Sequence, residues 1–193
     1  MDLLVSVDVE ADGPIPGPYS MVSIGCALSA TWTGRELVRL DLDAETFRAV
    51  LKPISDRWDP EALAISGMTR EYVLGHGEDP AEVMDRCAAW VVDKGKQYGA
   101  VPVFAGYPVG YDWLFSYWYF MSFSKSGSPF GHGRHFDIKT AYAVKAGVPI
   151  CEAVKAKMPR SLRSARPHTH DPLDDAKEQG DLGCNIIEWD GRL

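Results

Sequence analysis

The run Leu3-Leu4-Val5-Ser6-Val7-Asp8-Val9-Glu10 limits this chain more than any other stretch. It is short, rich in Val and Leu, and stopped by Asp12-Gly13-Pro14 and Pro16-Gly17-Pro18, which is the profile of a buried strand entering a loop. Side chains alternate along a strand, so Asp8 and Glu10 leave the same face. Side-by-side anions at the end of an apolar strand repel each other unless a cation bridges them, and hard oxygen donors favour Mg²⁺ or Mn²⁺. The alternative is a solvated strand end.

The segments that follow predict an α/β chain. Met21 to Trp32 reads as a second strand, Thr33-Gly34 as a turn, and Glu36 to Leu42 alternates polar with apolar as a half-exposed hairpin partner does. With Thr46 to Leu51 as a further strand, the opening is expected to be an antiparallel meander. Asp59-Pro60, Asp79-Pro80 and Asp171-Pro172 each put an N-capping acid before a proline at the first helical position, so three helices should start there. The first is short and ended by Gly67, the second carries Val83, Cys87, Trp90 and Val91 at helical spacing, and the last runs to about Ile187. Val101 to Ala105 reads as a buried strand, although Pro102 argues against a central one. Helices are expected over Tyr111 to Phe120 and Ile138 to Ala146, and the Ser/Gly-rich stretch Ser122 to His135 is expected to be a mobile, functional loop. Strands first, then helices interleaved with a strand, predict one layered α/β domain over residues 1–193.

Composition excludes several classes. Apolar residues at 46% and charged residues at 24% suit a globular chain, and the net charge of −7 argues against coating duplex nucleic acid through the overall field. Cys26, Cys87, Cys151 and Cys184 contain no Cys-x-x-Cys pair, so they are read as buried reduced thiols rather than as a zinc or redox motif. No apolar run approaches the roughly 18 residues that cross a bilayer, and no basic leader precedes the first strand, so a cytoplasmic protein without membrane partners is expected.

The last helix sharpens the chemistry. Asp174 falls in line with Glu178, Asp181 and Asn185, a polar stripe expected to face water, whereas Asp175 falls in line with Gln179, Leu182 and Ile186 and turns inward. An inward carboxylate needs a partner, and a metal is one. His170, five positions earlier, sits on the loop at the mouth of that helix; the alternative is an exposed loop histidine, like His168 beside it. Asp112, in Val109-Gly110-Tyr111-Asp112-Trp113, is another acid in apolar company, and a helix-cap role is its alternative.

Asp8-x-Glu10, Tyr111-Asp112 and His170-x4-Asp175 follow the order and rough spacing of the three motifs of the DEDDh exonucleases. The chain resembles the proofreading-subunit and RNase T-like 3′-to-5′ exonucleases from Leu3 to about Ile187. Asp8-Val9-Glu10-Ala11-Asp12-Gly13-Pro14 is similar to the first motif, and Ala62 with Ile65-Ser66-Gly67-Met68-Thr69 to the hydrophobic-Gly-hydrophobic-Thr segment. The resemblance implies a ribonuclease H-like α/β fold, a mixed five-stranded sheet flanked by helices. It implies that Asp8, Glu10, Asp112 and Asp175 ligate two divalent cations, Mg²⁺ or Mn²⁺, and that His170 is the general base. Phosphodiester hydrolysis needs a deprotonated water, neutralised phosphate oxygens and a stabilised leaving alkoxide, which such a set can supply.

The same resemblance implies that Ala11, Pro14, Ile65, Met68 and Tyr111 belong to the substrate site, with Ile65 and Met68 against the terminal bases and Pro14 at the 3′ nucleotide. Apolar residues near a helix end are otherwise core. Gly106 and Tyr107 stand where the family commonly has a His or Asn, and Asp137 resembles an additional family acid whose alternative is a helix cap. Between Glu152 and Asp171 lie Lys155, Lys157, Arg160, Arg163 and Arg166 with no acid; Arg163 and Arg166 are expected to receive the phosphates of an entering strand, with a solvated loop as the alternative. The expected activity is a metal-dependent 3′-to-5′ exonuclease on single-stranded RNA or DNA ends or short oligonucleotides, releasing nucleoside monophosphates. The alternative is a catalytically silent module that binds nucleic acid or a protein. Action alone, as a homodimer or on a larger partner is left open.

Overall fold

The structure, a computed structural model, describes residues 1–192. Its elements are β1 (Asp2–Ala11), β2 (Met21–Trp32), β3 (Leu37–Arg39), β4 (Thr46–Val50), α1 (Pro60–Ile65), α2 (Arg70–His76), α3 (Pro80–Tyr98), β5 (Val101–Gly106), α4 (Val109–Phe123), β6 (His135–Asp137), α5 (Ile138–Ala146) and α6 (Pro172–Glu188). The sheet order is β3-β2-β1-β5-β6, with β4 also paired to β2. β2 runs antiparallel to β1, β3 and β4, while β5 runs parallel to both β1 and β6, so the sheet is mixed.

The opening is not the simple meander that the alternation suggested. β3 pairs with residues Ala30 to Trp32 of β2 and β4 with Ser23 to Ala27, so the two short strands share one edge of the long one. The sheet stays five strands wide although it holds six. Pro102 is tolerated in β5 because β6 pairs only with Phe104 to Gly106, which leaves the proline's half of the strand unpaired on that side. The three Asp-Pro starts hold: Asp59, Asp79 and Asp171 each accept backbone N–H groups of the turn they cap, a contact worth ~1 kcal/mol apiece. α2 is an addition, capped by the Thr69 hydroxyl, whose oxygen accepts from the Tyr72 N–H.

β1 lies between two cores. Its odd residues, Leu3, Val5, Val7 and Val9, join Val83, Cys87 and Val91 of α3 and Phe115 and Tyr119 of α4. Its even residues face α6: Leu4 packs with Cys184, and Ser6 lies under Gly180. Two glycines make that approach close. A Cβ on Gly180 would stand 3.1 Å from the Ser6 Cβ, and one on Gly25, the register partner of Asp8, would stand 2.3 Å from the Pro172 carbonyl. A helical glycine costs ~1 kcal/mol relative to alanine, and here it lets α6 lie against the sheet with its first turn at the end of β1.

The Ser122 to His135 stretch departs from expectation. Phe130 is buried in the main core, and Asp85 accepts hydrogen bonds from the Lys125 N–H and the Ser124 hydroxyl. It precedes β6, which is parallel to β5, so it lies at the opposite end of the sheet from Asp8 and Glu10. Of the four cysteines, all are free, and Cys151 is exposed rather than buried.

Candidate active site

β1 carries Asp8 and Glu10 on one face at its C-terminal end, as the period-two argument requires, and both are half-buried. β5 ends at Gly106 and α4 begins three residues later, at Val109, which puts Asp112 in the first turn of α4 beside β1. The Asp112 side chain is buried and its Oδ1 accepts from the Val9 N–H at 3.3 Å. α4 is itself fixed at its start by Asp137, whose Oδ1 accepts the Val109 N–H at 3.1 Å while Oδ2 accepts the Thr140 N–H and caps α5. Asp137 thus braces the site and caps a helix at once.

α6 brings the fourth acid. Asp175 is 2% exposed, and its ligand oxygen lies within 4.8 Å of those of Asp8 and Glu10. Asp174, one residue earlier, is exposed and accepts only the Thr169 hydroxyl at 3.2 Å, as the helix faces predicted. The rest of that stripe does not face water: Glu178 is buried beneath Lys155, and Asp181 pairs with Arg39.

Neither Asp8 nor Glu10 has a side-chain hydrogen bond or an ion pair among the described residues. Burial, reinforced by the charges of Asp112, Glu10 and Asp175, pushes the Asp8 carboxyl well above the usual carboxylate range. Burial and then Asp175 and Asp171 push Glu10 up to about 7, and burial holds Asp112 high against the opposing Val9 N–H. Burial and mutual repulsion thus disfavour the charged forms of these acids unless a cation neutralises them. The donor set is all oxygen, it is buried on one side and open on the other, and it suits hard divalent cations.

The loop before α6 is tied to Asp175. Its Oδ1 accepts the Thr169 N–H at 2.8 Å and its Oδ2 the His170 N–H at 3.1 Å. His170 sits in the left-handed backbone region at φ 59°, a conformation costing of order 1–2 kcal/mol outside glycine, and the Asp175 clamp holds it there. The His170 ring is exposed, at the mouth of the acid cluster through the shared Asp175.

Sequence reasoning treated His168 as an unattached loop histidine, yet its Nδ1 is 3.0 Å from Asp175 Oδ2. The His-x-His spacing was the available signal. Lys155 was counted only as one of a basic run, but its ammonium pairs with Glu178, lies 5.2 Å from the Tyr107 ring centre, and favours ionisation of Asp8 and Asp112. Gln179 ties the strands at the site floor, donating to the Val7 carbonyl and accepting the Tyr107 N–H, both at 2.7 Å.

The outer residues divide. Pro14 is exposed, Ile65 is 58% exposed, and Tyr111 is half-free while its hydroxyl donates to the Gly13 carbonyl at 3.0 Å. Met68 is half-buried against Val22, Leu63 and Val73. Three residues expected at the substrate site make contacts within the chain instead. The Ala11 methyl is core, 3% exposed, so that side chain lines no site. Arg163 turns onto its own loop, donating to the carbonyls of Met158 and Ala156, because the three-residue helical turns there leave those acceptors free. Arg166 pairs with Asp43 at 2.8 Å and lines a cleft with Arg39, Leu40 and Asp181 on the far side of α6. Lys157 pairs with Glu152, so three of the five basic residues, Lys155, Lys157 and Arg166, are ion-paired within the chain.

Known proteins resemble this chain along most of its length. The chain is 33% identical over 184 residues to the 3′-5′ DNA exonuclease Cap18 of Escherichia coli, covering 94% of this chain and 89% of the relative. The chain belongs to the DnaQ-like 3′–5′ exonucleases. No family model matches it. Its fold is that of E. coli exonuclease I, solved with a dT13 oligonucleotide, at a TM-score of 0.64 and 14% identity over 97% of this chain and 41% of that one. It is also that of a 3′-exonuclease solved in recognition of a histone mRNA stem-loop, at 0.67 and 16% over 97% of this chain and 64% of that one. The fold is therefore ribonuclease H-like, and the chain is a 3′–5′ exonuclease that binds nucleic acid. Among the described residues no helix is long and apolar enough to cross a membrane.

Proposed function

We propose that this exonuclease hydrolyses single-stranded DNA from the 3′ end with two divalent cations, Mg²⁺ or Mn²⁺, releasing nucleoside 5′-monophosphates. The observation that carries the reading is the convergence of Asp8, Glu10 and Asp175 within 4.8 Å, with Asp112 beside them and, among the described residues, no cation paired to Asp8 or Glu10. Asp8, Glu10, Asp112 and Asp175 would hold the metals. When bound, these cations lower the pKa of a water and neutralise phosphate and leaving-group oxygens. A ring nitrogen of His170 takes the proton of the attacking water. Asp175 keeps that histidine in position through the two backbone N–H groups it accepts. Lys155 adds positive charge beside the acids, and Pro14, Ile65, Met68 and Tyr111 offer apolar surface to the terminal nucleotides. DNA is preferred to RNA because the 33%-identical relative is a DNA exonuclease.

The test is incubation of 5′-labelled single-stranded DNA and RNA with Mg²⁺, with Mn²⁺ or with EDTA, resolved at single-nucleotide steps. A metal-dependent ladder shortening from the 3′ end, faster on DNA, is expected. Internal fragments or free phosphate would overturn the reaction, faster loss of RNA would overturn the substrate, and binding of either strand without cleavage would leave a tethering module.

A further inference from the structure

Asp175 stands in a second cluster besides the carboxylate one. His168, His170 and Asp175 each offer a ligand atom, and these atoms lie within 4.8 Å of one another. The His168 Nδ1 is 3.0 Å from Asp175 Oδ2, and the two imidazole rings lie 4.6 Å apart with their planes at 70°. Both rings are exposed on the loop before α6, so a metal reaches them from solvent without displacing a packed side chain. Their placement is held by the backbone, since Asp175 fixes the N–H groups of Thr169 and His170 between them.

The donor chemistry differs from that of the neighbouring acids. Asp8, Glu10 and Asp112 present oxygen only, whereas this cluster presents two imidazole nitrogens and one carboxylate. Two nitrogens and an oxygen with a fourth position open to water form a tetrahedral Zn²⁺ site, and Mg²⁺ competes poorly for imidazole. The absence of Cys-x-x-Cys pairs disposed only of a thiolate zinc site.

We propose that His168, His170 and Asp175 form an inhibitory site for Zn²⁺, distinct in its donors from the Mg²⁺ or Mn²⁺ site and sharing Asp175 with it. Zn²⁺ bound there occupies the His170 lone pair that takes the proton and withdraws Asp175 from the carboxylate set. Inhibition rests on the proposed function, whereas binding does not. The cluster therefore acts as a sensor of free zinc, and His168 is the residue that makes it.

The deciding experiment uses the whole chain in two arms. In the binding arm, Zn²⁺ is titrated calorimetrically, and Co²⁺ is titrated with its visible absorption recorded, into an Asp8→Asn/Asp112→Asn background that weakens the oxygen site. One tight equivalent is expected, with the intense visible bands of four-coordinate Co²⁺, and His168→Ala in the same background is expected to weaken it about tenfold or more. In the activity arm, Mg²⁺-supported hydrolysis is followed against rising Zn²⁺, each protein normalised to its own zinc-free rate. His168→Ala is expected to raise the half-inhibiting Zn²⁺ concentration by a similar factor. Unchanged Zn²⁺ and Co²⁺ binding in the His168→Ala protein would overturn the site. Binding that depends on His168 without inhibition of an active enzyme would overturn its inhibitory role, and binding in a protein that cleaves no strand would instead overturn the proposed function.

Discussion

Replacing Glu10 by Gln tests whether the acid cluster is a site held in repulsion for a metal. Glu10 makes no side-chain hydrogen bond among the described residues, so the substitution removes a charge and little else. Its carboxyl is raised from the ordinary 4.5 to about 7, with burial as the first cause. Between those values the folded protein keeps a proton that the unfolded chain releases, so metal-free stability falls as pH rises from about 4.5 to 7 and is level above. At 1.36 kcal/mol per unit the loss is ~3 kcal/mol, and solvent screening of a partly exposed carboxylate brings it to ~1–2 kcal/mol. In EDTA at pH 8, Glu10→Gln is therefore expected to melt roughly 2–8 °C above the parent, and at pH 4 the two should coincide. Saturating Mg²⁺ should reverse the ranking, because a ligand at a hundred times its Kd stabilises the parent by ~2.7 kcal/mol and the variant by less. Differential scanning calorimetry over pH 4–8, with EDTA and with Mg²⁺, reads both effects. A variant no more stable than the parent in EDTA at pH 8, or one that gains as much from Mg²⁺, would refute the reasoning.

Asp112→Asn is expected to abolish turnover and, in EDTA above about pH 8, to raise the melting temperature, since burial lifts this carboxyl to about 8 and only above that does it carry a repelling charge; retained cleavage on the labelled-strand assay would sink its ligand role. Asp175→Ala should abolish turnover and also cost ~1–3 kcal/mol, because it leaves the Thr169 and His170 N–H groups without their acceptor; Asp174→Ala, measured beside it by denaturant melts and rate, should do neither. His170→Ala should slow hydrolysis about 10²–10⁴-fold while Mg²⁺ still raises the melting temperature, the signature of a lost base rather than a lost ligand. Arg70→Ala should be the costliest surface-facing change, about 3–5 kcal/mol by urea unfolding, since it strands the fully buried Asp12 that its guanidinium meets at 2.8 Å. Arg163→Ala and Arg166→Ala should leave the affinity for single-stranded DNA and its salt dependence unchanged, and a flattened salt slope would restore their phosphate role.

The local signals in this chain were strong where the physics is local. An apolar strand ending in Asp8 and Glu10, three Asp-Pro helix starts, and a helix whose faces separate Asp174 from Asp175 follow from strand period, capping geometry and helical spacing, all set within a few residues. These mark Asp8, Glu10 and Asp175 as acids in need of a partner, while Asp112 and His170 join them only through the resemblance to the exonuclease motifs. What the sequence could not decide is how charges find partners across the fold. Glu178 lay on a polar stripe by spacing, yet Lys155 from the preceding loop covers it. Arg163 and Arg166 had the composition of a phosphate groove, yet free carbonyls and Asp43 were nearer. His168 became a neighbour of Asp175 only because that carboxylate folds the loop back on itself through two N–H groups. Helix and strand periodicity reports which way a residue points. Only the packed chain, in which Gly25 and Gly180 let α6 close on the sheet, decides what it meets there.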